Sequence, residues 1–183
     1  MNPANKLTLL RALLGMIITV FVYFQDLFGY TMALGFFAFA VWSDYYDGIL
    51  ARKIGKETTF GKFMDPISDK ILVLAPLVAL VDIGLIPLWI VLIVFIREIL
   101  MMGMRSLAAA QGIILGANWF GKTKGIVQYT VIIVSLILLS INEVYIVPLM
   151  VEIIYGMALV LVTMTFFTAV MVFVRNKKVF EES

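Results

Sequence analysis

The 183-residue sequence contains neither cysteine nor histidine. Disulfide bonds, zinc sites built from thiolate or imidazole groups, and acid–base catalysis by histidine are therefore excluded. A metal ion would have to bind through oxygen atoms, which favours hard cations such as Mg²⁺, Mn²⁺ or Ca²⁺. Charged residues make up only 14% of the chain, and a formal net charge of +2 is too small to indicate a nucleic-acid partner.

Apolar residues dominate what is present, at 63% of the chain with a mean hydropathy of +1.07. Such a composition is typical of integral membrane proteins. Six hydrophobic segments are each long enough to cross a bilayer, and they comprise residues 7–24, 30–54, 59–83, 86–111, 124–140 and 145–175. We therefore expect an all-α integral membrane protein with six transmembrane helices that form a single domain over residues 1–183.

The distribution of cations predicts the orientation of these segments. Lysines and arginines lie at the termini or at the connections after the second and fourth segments: Lys6, Arg11, Arg52, Lys53, Lys56, Lys62, Lys122, Lys124, Arg175, Lys177 and Lys178. The other connections contain Asp26, Asp82 and Glu143 and no cation. Because lysine and arginine are enriched in cytoplasmic loops, both termini are expected in the cytoplasm. The first segment follows two cations but precedes no small-residue cleavage site, so we interpret it as an uncleaved span.

Four aspartates interrupt the second and third hydrophobic segments. Asp44 and Asp47 are three residues apart and Asp65 and Asp69 are four apart, so each pair shares a helix face. The helical rise places both pairs in the cytoplasmic half of the membrane, where four carboxylates would repel one another unless divalent cations lay between them. The alternative is a solvated cytoplasmic rim in which the aspartates pair with neighbouring cations: Arg52, Lys53, Lys62 and Lys70.

These aspartates belong to a longer pattern of small and charged residues. It reads Asp44-x2-Asp47-Gly48-x2-Ala51-Arg52-x8-Gly61-x3-Asp65-x3-Asp69. The pattern resembles the signature of the CDP-alcohol phosphotransferases, and the six predicted spans suit that family. The resemblance implies an enzyme that transfers the phosphoryl-containing part of a CDP-linked donor to an alcohol and releases CMP.

The resemblance also implies roles for individual residues. It implies a site for Mg²⁺ or Mn²⁺, with two ions, formed by Asp44, Asp47, Asp65 and Asp69. Asp69 would in addition be the catalytic general base that acts on the acceptor hydroxyl. The nucleotide would lie against Gly48, Ala51, Arg52 and Gly61.

Further cations bear on the identity of the acceptor. Arg97 lies near the middle of the fourth segment at the depth of the aspartates, and Arg105 follows it two turns later. With Lys122 and Lys124 they predict an acceptor that carries its own phosphate, which needs several cations near the metal site. The alternative for Arg97 is a buried ion pair with Glu98, and for the two lysines it is the general cytoplasmic excess of cations.

Three more segments, "NKLTLLR", "REILMMGMR" and "GKTKGIVQ", look like the phosphatidylglycerophosphate synthase branch of the family. That resemblance implies transfer from CDP-diacylglycerol to sn-glycerol 3-phosphate in the lipid bilayer of the cell membrane, by a homodimer. Asn5 and Thr8 would help to hold the nucleotide. The acceptor phosphate would contact Arg105, Lys122 and Lys124. The sequence departs from the branch at Gly125, where threonine is more usual.

Two kinds of alternative function remain open at the level of sequence. Within the family, the acceptor could be inositol phosphate, serine or phosphatidylglycerol. In a different class, the intramembrane charges could belong to a cation-coupled transporter. Such transporters usually contain internal repeats and paired half-helices, and the sequence has neither feature.

Overall fold

The computed structural model describes the backbone of residues 3–54, 59–112 and 119–176, and the side chains of residues 6–43, 61, 63–112, 121 and 123–176. These residues form six α-helices and no strand: α1 (Pro3–Val22), α2 (Leu27–Ile54), α3 (Thr59–Asp82), α4 (Leu88–Ala110), α5 (Trp119–Asn142) and α6 (Met150–Arg175). The prediction of an all-α protein is confirmed, and each helix overlaps one of the six hydrophobic segments.

One difference between the predicted and the observed helix boundaries lies before α6. Hydropathy predicts a helix from residue 145, whereas α6 begins at Met150. The side-chain oxygen of Asn142 accepts a hydrogen bond from the N–H of Val147 at 3.1 Å, and Leu149 has a left-handed backbone with φ of 61°. The predicted start is wrong because a hydrogen-bonded turn occupies apolar residues that hydropathy cannot distinguish from helix.

The core is shared by all six helices. Helix α1 packs against α2 and α3, α5 packs against α2, α3 and α6, and α4 packs against α3 and α6. Each helix contributes at least one side chain that is almost completely buried: Ile18, Phe37, Leu72, Ile90, Ile132 and Ile154. Close packing of such side chains provides the van der Waals contacts that hold helices together, in water or in lipid.

Helices α1 and α3 run in the same direction and approach each other closely. Arg11 contacts Asp69, and one turn later Gly15 lies against Ile71. A Cβ atom at Gly15 would lie 2.9 Å from the carbonyl oxygen of Ile71, so the position requires a residue without a side chain. This close parallel contact places the amino-terminal turns of α1 beside the acidic face of α3.

Much of the apolar surface remains exposed. Helix α6 alone exposes Val160, Phe166, Phe167, Val170 and Val174, and Phe166 is 67% exposed. Within the described residues, two helical segments, Thr123–Asn142 and Met150–Arg175, are long and apolar enough to cross a membrane. Exposed apolar surface of this extent is characteristic of contact with lipid or with another protein.

Candidate functional site

The first turns of α1 hold two carboxylates of α3. The hydroxyl of Thr8 donates a hydrogen bond to Oδ1 of Asp65 at 2.5 Å, and Nη1 of Arg11 donates to Oδ1 of Asp69 at 2.5 Å. Residues three or four apart share a helix face, so the two contacts form on consecutive turns of the same interface. Thr8 and Arg11 are buried, whereas Asp65 and Asp69 remain accessible. Each carboxylate therefore has an oriented oxygen and remains partly exposed to solvent.

Asp69 also lines a cavity of about 190 Å³ between α3, α4 and α5. The charged side chains of the described lining are four cations and two carboxylates: Lys70, Arg97, Arg105, Lys124, Asp69 and Glu98. The lining is therefore positively charged overall. Such a cavity favours an anionic ligand, because lysine and arginine side chains form strong, charge-assisted hydrogen bonds with phosphate or carboxylate groups.

Glu98 forms ion pairs with three of the cations that line this cavity. Its Oε1 accepts hydrogen bonds from Lys124 and, at 3.1 Å, from Nη1 of Arg97, and its Oε2 lies 3.5 Å from Nζ of Lys70. Glu98 and Lys124 are both buried. Because a buried charge is unfavourable unless it is paired, Glu98 allows three cations from three different helices to lie close together.

Helix α5 presents one polar face to the cavity. Gly121, Lys124, Gly125 and Gln128 follow the spacing of three, four and seven residues that places side chains on one side of a helix. A Cβ atom at Gly121 or Gly125 would meet no atom of the described residues within 4 Å, so both glycines border open space in that part of the structure. The face therefore combines a cation and an amide with room for a ligand.

The two arginines of α4 differ in their surroundings. Arg97 is largely buried, and its Nη2 lies 3.4 Å from the hydroxyl of Thr168 on α6. Its Nε has no hydrogen-bond partner within the part of the chain that the structure describes. Arg105 is exposed and forms no ion pair with any of the described side chains. Both arginines thus keep donors available to a ligand.

The structure brings together four of the residues that the sequence predicts for catalysis and acceptor binding: Asp69, Arg97, Arg105 and Lys124. The ion pair between Arg97 and Glu98, offered above as an alternative, is present. Whether Arg97 and Lys124 also contact an acceptor stays a prediction. Thr8, predicted at the nucleotide, lies beside Asp65. Gly61, also predicted there, is a buried residue near the start of α3. Their role likewise stays a prediction.

Other predicted site residues lie outside the described side chains: Asn5, Asp44, Asp47, Gly48, Ala51, Arg52 and Lys122. The backbone of α2 is helical through Ile54, so Asp44 and Asp47 occupy adjacent turns of a helix. The described part of the predicted metal site consists of Asp65 and Asp69, on one face of α3. Both are carboxylates with accessible oxygens, which fits Mg²⁺ or Mn²⁺. No group of three metal-ligating side chains occurs among the described residues.

Four residues of the site received no role from the sequence: Arg11, Lys70, Glu98 and Gln128. Arg11 and Gln128 stand in the segments that carry the branch resemblance, which was a signal of their importance. Lys70 was considered only as a partner of the aspartates, and the structure pairs it with Glu98. Glu98 was considered only as a partner of Arg97, because no sequence pattern shows that three helices meet there.

Comparison with known proteins yields a family and several relatives. The chain is 43% identical over 103 residues to the CDP-diacylglycerol–glycerol-3-phosphate 3-phosphatidyltransferase of Bacillus subtilis (strain 168), covering 56% of this chain and 52% of the relative. It is 36% identical over 115 residues to the protein of the same name from Mycoplasma genitalium, covering 62% and 49%. It is 35% identical over 130 residues to a probable phosphatidylglycerophosphate synthase of Mycobacterium tuberculosis, covering 69% and 62%.

The matched parts thus span about half to three fifths of the length of these relatives. The family model for CDP-alcohol phosphatidyltransferases matches residues 1–171, nearly the whole chain. The match includes both the α1–α3 interface and the charged cavity. The chain therefore belongs to the CDP-alcohol phosphatidyltransferase family.

Proposed function

We propose that the protein is a membrane enzyme of phospholipid biosynthesis. It transfers the phosphatidyl group of CDP-diacylglycerol to sn-glycerol 3-phosphate, which gives phosphatidylglycerophosphate and CMP. The observation that carries the proposal is that Asp69, Arg97, Arg105 and Lys124 line the same cavity. The names of the relatives from Bacillus subtilis and Mycoplasma genitalium support the choice of both substrates.

The size and charge of the cavity favour a small phosphorylated acceptor. Pockets for drug-sized ligands usually measure about 300–1,000 Å³, so a cavity of about 190 Å³ suits a compact molecule. Its excess of cations suits a phosphate, and Arg97 keeps its Nε donor without a partner among the described residues. Arg97, Arg105, Lys122 and Lys124 would bind that phosphate.

The metal site is proposed from the four carboxylates of α2 and α3. Asp44, Asp47, Asp65 and Asp69 would hold two divalent ions, Mg²⁺ or Mn²⁺. When bound, these ions would neutralise the pyrophosphate of the donor and stabilise the leaving CMP. The contacts from Thr8 and Arg11 would fix the orientation of Asp65 and Asp69, as hydrogen bonds to metal-binding carboxylates commonly do.

Asp69 would also accept the proton of the attacking hydroxyl. As that oxygen bonds to the phosphorus of the phosphatidyl group, the phosphoanhydride bond to CMP breaks and its electron pair leaves on CMP. Asp69 suits this task because it lies at the cavity and its carboxylate is 46% exposed.

The nucleotide would be held by Asn5, Thr8, Gly48, Ala51, Arg52 and Gly61.

All six helices would cross the cell membrane, with both termini and the cavity on the cytoplasmic side. Helices α1 and α3 are parallel, as expected if α2 crosses the membrane between them in the opposite direction. The cations at the cytoplasmic connections also support this topology.

The enzyme would act as a homodimer, which would cover part of its exposed apolar surface.

CMP release by the purified protein tests the proposal. We would supply CDP-diacylglycerol with Mg²⁺ or Mn²⁺ and one acceptor per reaction: glycerol 3-phosphate, inositol phosphate, serine or phosphatidylglycerol. The expected result is release with glycerol 3-phosphate alone, lost with EDTA and in Asp69→Asn, which should still bind the donor. Release with a different acceptor would overturn the acceptor assignment. No release with any acceptor from folded protein would reopen the transporter alternative.

A further inference from the structure

Gln128 contributes an unused hydrogen-bond donor to the wall of the cavity. The side chain is only 5% exposed, and its Nε2 has no hydrogen-bond partner within the described part of the chain. A buried amide donor without a partner is energetically unfavourable, and native proteins retain few of them. A donor of this kind that lines a ligand cavity is expected to acquire its partner when the ligand binds.

The chemistry of the carboxamide points to a hydroxyl rather than to a phosphate. The cavity already has four cations for an anionic group. A carboxamide is neutral and can both donate and accept hydrogen bonds, as a hydroxyl can. Gln128 therefore complements the uncharged polar part of an acceptor.

The position of Gln128 along α5 fits this assignment. It follows Lys124 by four residues on the same helix face, which corresponds to about 6 Å along the axis. Gly121 and Gly125 leave open space on that face. A three-carbon acceptor whose phosphate binds Lys124 would therefore present its next polar group within reach of the Gln128 amide.

We propose that Gln128 determines acceptor specificity by hydrogen-bonding the secondary hydroxyl of a three-carbon phosphorylated acceptor. This inference rests on the proposed function and deepens it, because it assigns the one hydroxyl that does not react. Sites that pair a buried polar group with a substrate hydroxyl discriminate strongly against analogues that lack it, since the protein group is then left unpaired.

The test compares glycerol 3-phosphate with 3-hydroxypropyl phosphate, which lacks only the secondary hydroxyl. We expect the unaltered enzyme to prefer glycerol 3-phosphate in kcat/KM by roughly 10- to 100-fold. In Gln128→Met, which keeps the volume and removes the amide, the preference should fall to about 1 to 3 through loss of activity with glycerol 3-phosphate. Equal losses with both acceptors, or no preference in the unaltered enzyme, would overturn the proposal.

Two further variants test whether the effect is specific to the Gln128 amide and whether it could arise from misfolding. Ser135→Ala removes from α5 another buried polar group, one without a partner among the described residues. It lies two turns beyond Gln128, is not among the residues that line the cavity, and should leave the preference unchanged. If Gln128→Met does not fold, Gln128→Asn withdraws the amide by one methylene group and should also lower the preference. An unchanged preference in a folded Gln128→Asn would then refute the assignment.

A binding measurement separates this inference from the proposed function. The dissociation constants of the two phosphates, measured by calorimetry in Mg²⁺ without any donor, do not depend on turnover. If CMP release fails but binding still favours glycerol 3-phosphate through Gln128, only the proposed reaction is wrong. Equal binding of the two phosphates, or no binding of either, would overturn the role of Gln128 itself.

Discussion

Arg11 of α1 and Asp69 of α3 form an ion pair with 2.5 Å between Nη1 and Oδ1, although 58 residues separate them in sequence. Arg11 is 5% exposed and Asp69 is 46% exposed, so the arginine is fixed within the protein while the carboxylate reaches the cavity. Gly15 makes this possible by allowing α1 and α3 to approach closely. Arg11 is therefore a positioning residue for the proposed base.

Removal of this pair should impair the chemical step. In Arg11→Ala we expect kcat to fall by roughly 100-fold, because a misplaced reactive group can lower a rate to that extent. The KM for glycerol 3-phosphate should change little, and Arg11→Lys should recover part of kcat by restoring a cation. Lys6→Ala, an exposed cation on the same helix, is the matched control. A rise in KM without loss of kcat would contradict this role.

The hydroxyl of Thr8 should tune the metal site through Asp65. In Thr8→Val we expect the Mg²⁺ concentration for half-maximal activity to rise by about tenfold, as is common when a hydrogen bond to a metal-binding carboxylate is lost. Thr19→Val is the control, because the Thr19 hydroxyl donates its hydrogen bond to the carbonyl of Gly15 on its own helix. If only the KM for CDP-diacylglycerol rises, Thr8 acts on the nucleotide instead.

The six helices and four of the six charged residues in the described cavity lining could be predicted from sequence for physical reasons. A helix in lipid needs a long apolar segment, so each helix leaves a continuous signal. Charges in such segments are unfavourable and therefore conspicuous, which is how Asp69 and Arg97 were identified, whereas Lys124 was identified among the cations of a connection. Their position around one cavity follows from similar depths on neighbouring helices.

The role of Glu98 could not be predicted in the same way. Its ion pair with Arg97 is adjacent in sequence, but those with Lys70 and Lys124 depend on how α3 and α5 pack against α4. Helix periodicity gives the face on which a residue lies but not which face of another helix it meets. That the Gln128 amide has no partner among the described residues also follows only from the packing of the helices and not from the sequence.

Loss of the Glu98 carboxylate should destabilise the fold. In Glu98→Gln three neighbouring cations lose their shared counter-ion, and we expect the free energy of unfolding to fall by about 3 kcal/mol. Thermal unfolding in detergent measures the change as a lower midpoint. Inorganic phosphate should restore part of it by pairing with the same cations. Glu152→Gln, an exposed carboxylate on α6, should have almost no effect; an equal loss there would refute the explanation.

Arg105 offers the most direct test of phosphate recognition, because it is exposed and has no ion-pair partner among the described side chains. Its removal should therefore leave stability unchanged. In Arg105→Ala we expect the KM for glycerol 3-phosphate to rise by roughly 10- to 100-fold, the value of one charge-assisted hydrogen bond, with little change in kcat. Arg175→Ala removes an exposed cation at the end of α6 and is the matched control. An unchanged KM in Arg105→Ala would place the acceptor phosphate elsewhere.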